Sequence, residues 1–492
     1  MVLYEELALP QLLTLIAFLG LLQLARKLAA ATVGAGLLGE CAIGVIFGSP
    51  LAGILPLAWE EFSLALGYLG LVLILLDGGL RLNARTFLPN LPLGVLAAVV
   101  GIGLPIGFTF ALFASPAYRL PKSSAFAAGS ALASTSLGTT FAVIASVSKA
   151  QGIDLGTTRC GSILSGAAVF DDVIALALLA VLTSLGAGGA SGGASLAWLV
   201  VRPLLSSAVM AAAGPLVALY LARPVWRRLI EPRLERLSQA NQDAILLSSG
   251  VLVLSAFLAI ATYVRTTVLF GAFLAGVFLT MLPSPDSSLS FLAAYETYVH
   301  SLQAYVFEPL FFASVGFTIP FLSLWTGARI WKGVVYALLM LLGKLLVGAV
   351  LIVAHVCSPS PTAPEGSDLD SECPPKPDWQ GSTADELALR SLTLETESTL
   401  VEKKISRWDV TESVPPAALL GFAMVSRGEI GVLVLQAVRS FEHPLIDEEA
   451  YLMGIWAVTL CTIVGPIAVS LIVKGWGTSI ARGRWGGEQS KI

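Results

Sequence analysis

Apolar segments long enough to cross a bilayer recur along this chain, and they constrain its fold more than any other feature. A helix needs about 20 apolar residues to span the hydrocarbon core, where the backbone must satisfy its own hydrogen bonds. The chain is 56% hydrophobic and only 13% charged, which excludes a soluble domain of this length. Thirteen segments meet the requirement, near 7–26, 34–53, 62–80, 91–114, 123–148, 159–184, 197–221, 240–262, 266–283, 303–325, 333–356, 414–438 and 450–474. We therefore predict an all-α polytopic membrane protein with about thirteen transmembrane helices.

The basic residues of the connections set the predicted orientation. Connections after odd-numbered segments, with the C-terminal tail, hold 20 Lys and Arg residues, against 7 for the N-terminus and the other connections. Because cytosolic connections carry the excess, the N-terminus is predicted outside and the C-terminus in the cytosol. The connection at 223–236 holds five arginines and is interpreted as a cytosolic topology determinant. The plasma membrane is the predicted location, with an endomembrane as the alternative.

Composition divides the chain into four parts. Residues 1–357 hold segments 1–11, 413–475 hold segments 12 and 13, and 476–492 form a cytosolic tail. Residues 358–412 are rich in Pro, Ser, Glu and Asp with almost no apolar pattern, which predicts a disordered cytosolic insertion. The net charge of −4 gives no sign of nucleic-acid binding, and the three histidines and five cysteines are too scattered to predict a metal centre or cofactor.

Two adjacent carboxylates, Asp171 and Asp172, lie in the middle of segment 6. Ten uncharged residues precede the pair within 161–182 and ten follow it. At about 1.5 Å of rise per residue, each flank spans about half of a bilayer core, so the pair is predicted near the midplane. One charged carboxylate there costs about 3 kcal/mol. A chain that places two side by side is expected to use them.

Lys344 lies at the same depth in segment 11, with eleven uncharged residues before it and ten after it. An ion pair with one aspartate would offset part of the desolvation cost and leave the other aspartate for a mobile cation. Adjacent helical side chains point about 100° apart, so one aspartate can face Lys344 while the other faces a water-filled cavity. The competing interpretation is a salt bridge that only locks two helices, although it leaves the second aspartate unexplained.

Segments 5 and 12 each have a central stretch of low helix propensity, flanked by residues of high helix propensity. The residues concerned are Ser134, Thr135, Ser136 and Thr139 in segment 5, and Arg427 and Glu429 in segment 12. Interrupted segments in corresponding halves indicate a transporter's binding site, because free carbonyls, hydroxyls and half-helix ends can hold an ion. Ordinary packing of small residues is the alternative. For Arg427 and Glu429 we expect a structural role, in which they neutralise each other and the half-helix ends.

The order of the segments adds a further indication. Segments 4–6 and 11–13 are offset by seven, which is an odd number, so the two triplets cross the membrane in opposite senses. Such inverted repeats are typical of alternating-access carriers. Among four other charged residues, three carry weaker predictions. Asp77 and Arg81 are expected to form a local ion pair, Glu308 to cap or kink segment 10 beside Pro309, and Glu40 receives no assignment.

Five stretches in order resemble the monovalent cation/proton antiporter superfamily, on its paired-aspartate branch, which includes sodium/hydrogen exchangers. They are GECAIGVIFGSPLAGILP, YLGLVLILLDGGL, GAAVFDDVIAL, VLFGAFLAGVFL and FFASVGFTI, joined by GKLLVG around Lys344 and SRGEIG in segment 12. The resemblance implies a core domain with two crossed, unwound helices, here segments 5 and 12, a separate dimerisation domain and a homodimer. It implies that Asp172 is the main cation- and proton-binding carboxylate and that Asp171 pairs with Lys344. Electroneutral relatives often carry Asn at the first position, so the aspartate pair implies electrogenic exchange. Arg81 departs from the family, since many relatives have an acid there.

The sequence therefore predicts a transporter that exchanges sodium or potassium for protons by alternating access, with the alkali cation bound at Asp172. An uncoupled cation channel would use the same carboxylates without coupling. An intramembrane aspartyl protease draws its two aspartates from different helices, whereas this pair is contiguous. A carrier of organic anions is a further alternative, but Lys344 is the only isolated cation at that depth.

Overall fold

The computed structural model describes residues 8–82, 91–136, 144, 155, 158–188, 196–284, 287–357, 413–441, 443–483 and 485. The regular structure in these ranges is helical and includes no β-strand. Eight of the helices there are long and apolar enough to cross a membrane. The predicted all-α membrane architecture is confirmed, whereas the predicted insertion at 358–412 lies outside the described residues.

The helices follow the predicted segments in chain order. They are α1 (Leu9–Val33), α2 (Gly36–Phe47), α3 (Leu57–Leu80), α4 (Leu91–Ala114), α5 (Lys122–Ala133), α6 (Arg159–Gly188), α7 (Leu196–Val217), α8 (Gln239–Val264), α9 (Val268–Thr280), α10 (Phe291–Tyr298), α11 (Glu308–Thr318), α12 (Gly327–Cys357), α13 (Ser413–Ala423), α14 (Glu429–Arg439) and α15 (Glu448–Arg482). The short helix α10 has no counterpart among the predicted segments. Helix α15 continues past the predicted end of segment 13 and takes in the start of the predicted tail.

Three π-helical turns interrupt the helices in the part of the chain that the structure describes, and each ends two residues before a proline. They are Ala218–Ala222 before Pro224, Trp226–Ile230 before Pro232, and Gln303–Phe307 before Pro309. Proline has no N–H for the carbonyl four residues back and its ring crowds that carbonyl, so a wider turn relieves the clash. Through the first two π turns, the helix that begins as α7 continues to Leu234. Most of the basic connection at 223–236 is therefore helical. The third stands where the sequence predicts a kink in segment 10.

The helices pack in two groups. The panel group consists of α1–α3 and α8–α11, and the site group consists of α4–α6 and α12–α15. Each group has an apolar cluster of its own, around Phe18 and Phe317 in the panel group and around Leu164 and Leu420 in the site group. Helix α7 follows α6 in the chain and packs against it and α9. The two predicted inverted triplets, segments 4–6 and 11–13, thus lie together in the site group.

Small residues set how closely the panel helices approach. A Cβ atom on Gly316 of α11 would lie 2.3 Å from the Cys41 carbonyl oxygen of α2. A Cβ atom on Gly276 of α9 would lie 2.3 Å from the Leu76 carbonyl oxygen of α3. Neither position can hold a larger residue, because real Cβ contacts never come so close. Close backbone packing at small residues is how helices associate in lipid, where apolar burial gives no driving force.

Candidate cation and proton site

Lys344 of α12 and Asp171 of α6 form an ion pair inside the site group. The distance from Nζ to Oδ2 is 2.8 Å, and both side chains are fully buried. Thr135 donates its hydroxyl to the same carboxylate oxygen and accepts a hydrogen bond from Nζ at 3.0 Å. The three side chains come from three different segments and satisfy one another. The structure therefore brings together the lysine, the first aspartate and the threonine that the sequence singles out.

Asp172 differs from Asp171 in its surroundings. It is only partly buried, while its neighbour has no exposed surface. This difference follows from helix geometry, because consecutive side chains on α6 point about 100° apart. Oδ1 of Asp171 accepts no hydrogen bond from the described residues. The pair thus offers one carboxylate held by an ammonium and a second on a residue that is less completely buried.

The breaks in segments 5 and 12 meet beside this ion pair. Helix α5 ends at Ala133, and Ser134 is extended with φ −62° and ψ 151°. The second break separates α13 from α14, and the Ser136 amide donates to the Ser426 carbonyl oxygen at 2.8 Å. Ser134, Thr135 and Ser136 are buried at this crossing. Both breaks lie where the sequence predicts them, while Thr139 lies outside the described residues.

Arg427 caps the end of α5 from the other broken segment. It is fully buried, and Nη1 donates to the carbonyl oxygens of Ala133 at 3.2 Å and Ser134 at 2.6 Å. These carbonyls stand at the negative end of a helix dipole, where a cation is favourable. The carbonyl oxygen of Arg427 in turn accepts a hydrogen bond from Thr462 of α15 at 2.9 Å. Glu429 is the first residue of α14, and its side chain is outside what the structure describes.

Several residues that shape the site were not identified from the sequence. A Cβ atom on Gly428 would lie 2.5 Å from Cβ and Oγ of Ser136, and one on Gly465 of α15 would lie 2.8 Å from the Ser426 amide nitrogen. Gly101 of α4 faces the Lys344 ammonium, 3.4 Å from where its Cβ would be. Small residues are frequent in every segment of this chain, so their positions gave no signal without the packing.

The weaker candidates lie in the panel group. Asp77 and Arg81 form the predicted ion pair at 2.9 Å, and Arg81 extends it to Glu296 of α10 at 3.0 Å. Glu308 is the first residue of α11 and follows the π turn directly, with Phe307 and not Glu308 at the N-cap position. Its carboxylate also accepts a hydrogen bond from Arg26 of α1 at 3.2 Å. None of these contacts involves the Asp171 and Lys344 pair.

Comparison with known proteins decides the family. The transmembrane domain of sodium/hydrogen exchangers matches residues 14–365, which is most of the chain. This chain belongs to the sodium/hydrogen exchanger family. The resemblance to the monovalent cation/proton antiporter superfamily is therefore confirmed. The exchanger is a multi-pass membrane transporter and not an enzyme, which removes the aspartyl protease from the interpretations.

Individual relatives of the exchanger cover most of its length. The probable Na(+)/H(+) antiporter GerT of Bacillus cereus is 24% identical over 312 residues, covering 63% of this chain and 73% of GerT. An Na(+)/H(+) antiporter of Enterococcus hirae is 22% identical over 469 residues, covering 93% and 98%. The sodium proton antiporter MjNhaP1 from Methanocaldococcus jannaschii has a similar fold, with a TM-score of 0.56 and 14% identity over 97% of this chain and all of that one.

Proposed function

We propose that this exchanger moves sodium against protons by alternating access, and that Asp172 binds the two ions in turn. The observation that carries the proposal is the buried Lys344 and Asp171 ion pair, 2.8 Å long, with the partly buried Asp172 beside it. Sodium is favoured over potassium because two relatives that cover most of this chain are named as Na(+)/H(+) antiporters.

Competition for one carboxylate is the physical basis of the exchange. A bare Asp172 near the midplane is costly, and either a proton or a sodium ion lowers that cost, so the two ions exclude each other. Oδ1 of Asp171 accepts no hydrogen bond from the described residues, so it is available as a second ligand for a dehydrated cation.

Electrogenic exchange requires a second proton, and Lys344 is the group that can carry it. When sodium takes Asp171 as a ligand, the buried ammonium loses its counter-ion. An uncompensated ammonium in an apolar interior is strongly disfavoured, so Lys344 releases its proton. Two protons then leave for each sodium ion that binds, and each cycle moves net charge.

The two helix groups provide the moving parts of the proposed cycle. Gln436 of α14 donates to the Thr318 hydroxyl of α11 at 2.7 Å and to the Val315 carbonyl oxygen at 3.3 Å, so it joins the site group to the panel group. We propose that the site group moves against the panel group and that this contact breaks when the site turns to the other side. We further propose a homodimer formed through the panel group, with the N-terminus outside and the C-terminus in the cytosol of a plasma-membrane protein.

Reconstituted transport tests the proposal. Proteoliposomes with an imposed pH gradient and a clamped voltage should accumulate sodium against its own gradient, which a channel cannot do. Asp172→Asn should abolish the uptake while leaving the melting temperature close to that of the wild type. Asp243→Asn is the matched control, because Asp243 is a buried aspartate of α8, in the panel group, that accepts from Gln239 at 3.2 Å. Uptake that survives in Asp172→Asn would reject the assignment, and downhill flux alone would favour a channel.

A further inference from the structure

Glu40 of α2 is a buried acid that the exchange mechanism does not use. Its side chain is 1% exposed, and neither carboxylate oxygen accepts a hydrogen bond from the part of the chain that the structure describes. The nearest cation is Arg26 of α1, whose Nη1 lies 3.4 Å from Oε1. This site belongs to the panel group, whereas Asp172 belongs to the site group. We propose that Glu40 binds a proton and is a second proton site of this protein, separate from the exchange site.

Arg26 is already engaged by other groups. Its Nη2 donates to Oε1 of Glu308 at 3.2 Å, and its Nη1 donates to the Ala304 carbonyl oxygen. Gln23, one turn earlier on α1, donates to the Tyr305 carbonyl oxygen at 2.6 Å. Both carbonyls lie in the π turn before Pro309, and the proline leaves Tyr305 without its usual helical donor. The guanidinium is thus fixed against this turn and Glu308, with Glu40 at its side.

The charges of this cluster do not balance. Glu40 and Glu308 share one guanidinium, so the cluster carries one surplus negative charge when both acids are ionised. Glu308 has the hydrogen bond to Arg26 and is 25% exposed, while Glu40 has the longer contact and is almost fully buried. Burial of an unpaired carboxylate is costly, and a proton removes the cost. The proton therefore belongs on Glu40 and the negative charge on Glu308.

The other charged groups near the cluster face Glu308 and not Glu40. His300, before the π turn, and Asp77 of α3 both act electrostatically on Glu308. The charged groups that act electrostatically on Glu40 are Arg26 of α1 and Glu308 of α11. Asp77 is already paired with Arg81 at 2.9 Å, so it brings no unbalanced charge to the cluster.

Close helix packing leaves little room to hydrate an ionised Glu40. A Cβ atom on Gly44, one turn further along α2, would lie 2.2 Å from the Ala313 carbonyl oxygen of α11. Gly316 of α11 approaches the backbone of Cys41 equally closely. An ionised Glu40 would attract water toward this contact between α2 and α11. Loss of the proton from Glu40 should therefore weaken this contact.

Difference infrared spectroscopy of the purified full-length protein in lipid, titrated with pH, tests the proposal. Asp172→Asn serves as the background, so that the carboxylate proposed to exchange its proton contributes no signal and no transport is needed. A protonated carboxylic acid gives a carbonyl band that a carboxylate lacks. The band should be present at neutral pH and in Glu60→Gln, and lost in Glu40→Gln. Glu60 is the matched control because it is also a buried acid, but its oxygens accept from the Ser49 amide at 2.9 Å and hydroxyl at 2.8 Å.

Thermal unfolding at neutral pH provides the second measurement. Glutamine resembles a protonated glutamate, so Glu40→Gln should leave the melting temperature unchanged, whereas Glu308→Gln should lower it by removing the partner of Arg26. A band that persists in Glu40→Gln, or equal losses of melting temperature in the two variants, would overturn the proposal. So would a band that appears only when sodium is removed, since an alkali cation would then be the ligand. Because neither readout depends on exchange, failure here is distinct from failure of the proposed transport function.

Discussion

The Lys344 ammonium lies 2.8 Å from the Asp171 carboxylate, and neither side chain has any exposed surface. Loss of one partner of a buried ion pair leaves an uncompensated charge, which costs about 3–5 kcal/mol. Lys344→Gln should therefore lower the melting temperature strongly. The double variant with Asp171→Asn should recover most of the loss, because it buries two neutral groups in place of one charge. Thermal unfolding of the single and double variants checks this, and strictly additive losses would show that the two charges are not coupled.

A second prediction concerns the charge moved per cycle. If Lys344 carries the second proton, it does so because Asp171 is its counter-ion when sodium is absent. In Asp171→Asn the lysine has no such partner and should stay neutral throughout the cycle. Exchange by the wild type should respond to an imposed membrane potential, and exchange by this variant should not. Transport that stays voltage-dependent in the variant, or that disappears altogether, would contradict the role given to Lys344.

A third prediction concerns Gly428, at the crossing of the two broken segments. A Cβ atom there would lie 2.5 Å from the Ser136 side chain, so Gly428→Ala should force the crossing apart and cost about 1–3 kcal/mol. Gly103→Ala is the matched control, since no heavy atom lies within 4 Å of a Cβ at that position of α4. We expect a lower melting temperature only for Gly428→Ala. Equal behaviour of the two variants would mean that the crossing is not closely packed.

Arg427 gives a fourth prediction. Arg427→Gln would leave the Ala133 and Ser134 carbonyls without a cationic donor, and each buried carbonyl left unpaired costs about 1–3 kcal/mol. Since α5 also positions Thr135, the variant should lose both thermal stability and sodium-driven proton flux. Arg439→Gln, on the exposed end of α14, should lose neither. Full flux in Arg427→Gln would show that the end of α5 needs no cap.

The contact between the two helix groups gives a fifth prediction. Gln436→Ala removes a hydrogen bond between α14 and the Thr318 hydroxyl, and a bond of this kind contributes about 0.5–1.5 kcal/mol. If only one of the two access states has the bond, its loss should shift the half-saturating sodium concentration by about 2- to 10-fold. Gln23→Ala is the control, because the bond from Gln23 stays within the panel group. An unchanged sodium dependence in Gln436→Ala would exclude a contact that distinguishes the two states.

The common level of Asp171 and Lys344 was predictable because the uncharged residues that flank a charge on a helix set its expected position across a bilayer. Asp171 and Lys344 could thus be assigned to one level from the uncharged residues on either side of each. The breaks at Ser134 and Arg427 were predictable for a similar local reason, since runs of hydroxyl, glycine and charged residues do not favour a helix. The reasoning was weaker for partners, and Arg427 shows why. The sequence indicated that it would neutralise half-helix ends but not which end, whereas the structure gives it the carbonyls at the end of α5.

The cluster around Glu40 shows the same limit more strongly. Arg26, Glu40 and Glu308 lie on three helices, and Glu308 is more than two hundred residues from the other two. No local pattern links them, because their contact depends on how α1, α2 and α11 rotate about their axes. The prolines were visible in the sequence, but the π turns that they accompany and the carbonyls that these turns free were not.

The sequence by itself determined the helical membrane fold, the common level of Asp171 and Lys344 along their helices and the family of the protein. Only the tertiary structure decided which charges meet, which carboxylate is less completely buried and which helix ends are capped. The physical reason is that hydrophobicity acts along one axis, the membrane normal. Rotation and lateral placement of the helices are set by the packing of small residues and by hydrogen bonds between distant segments.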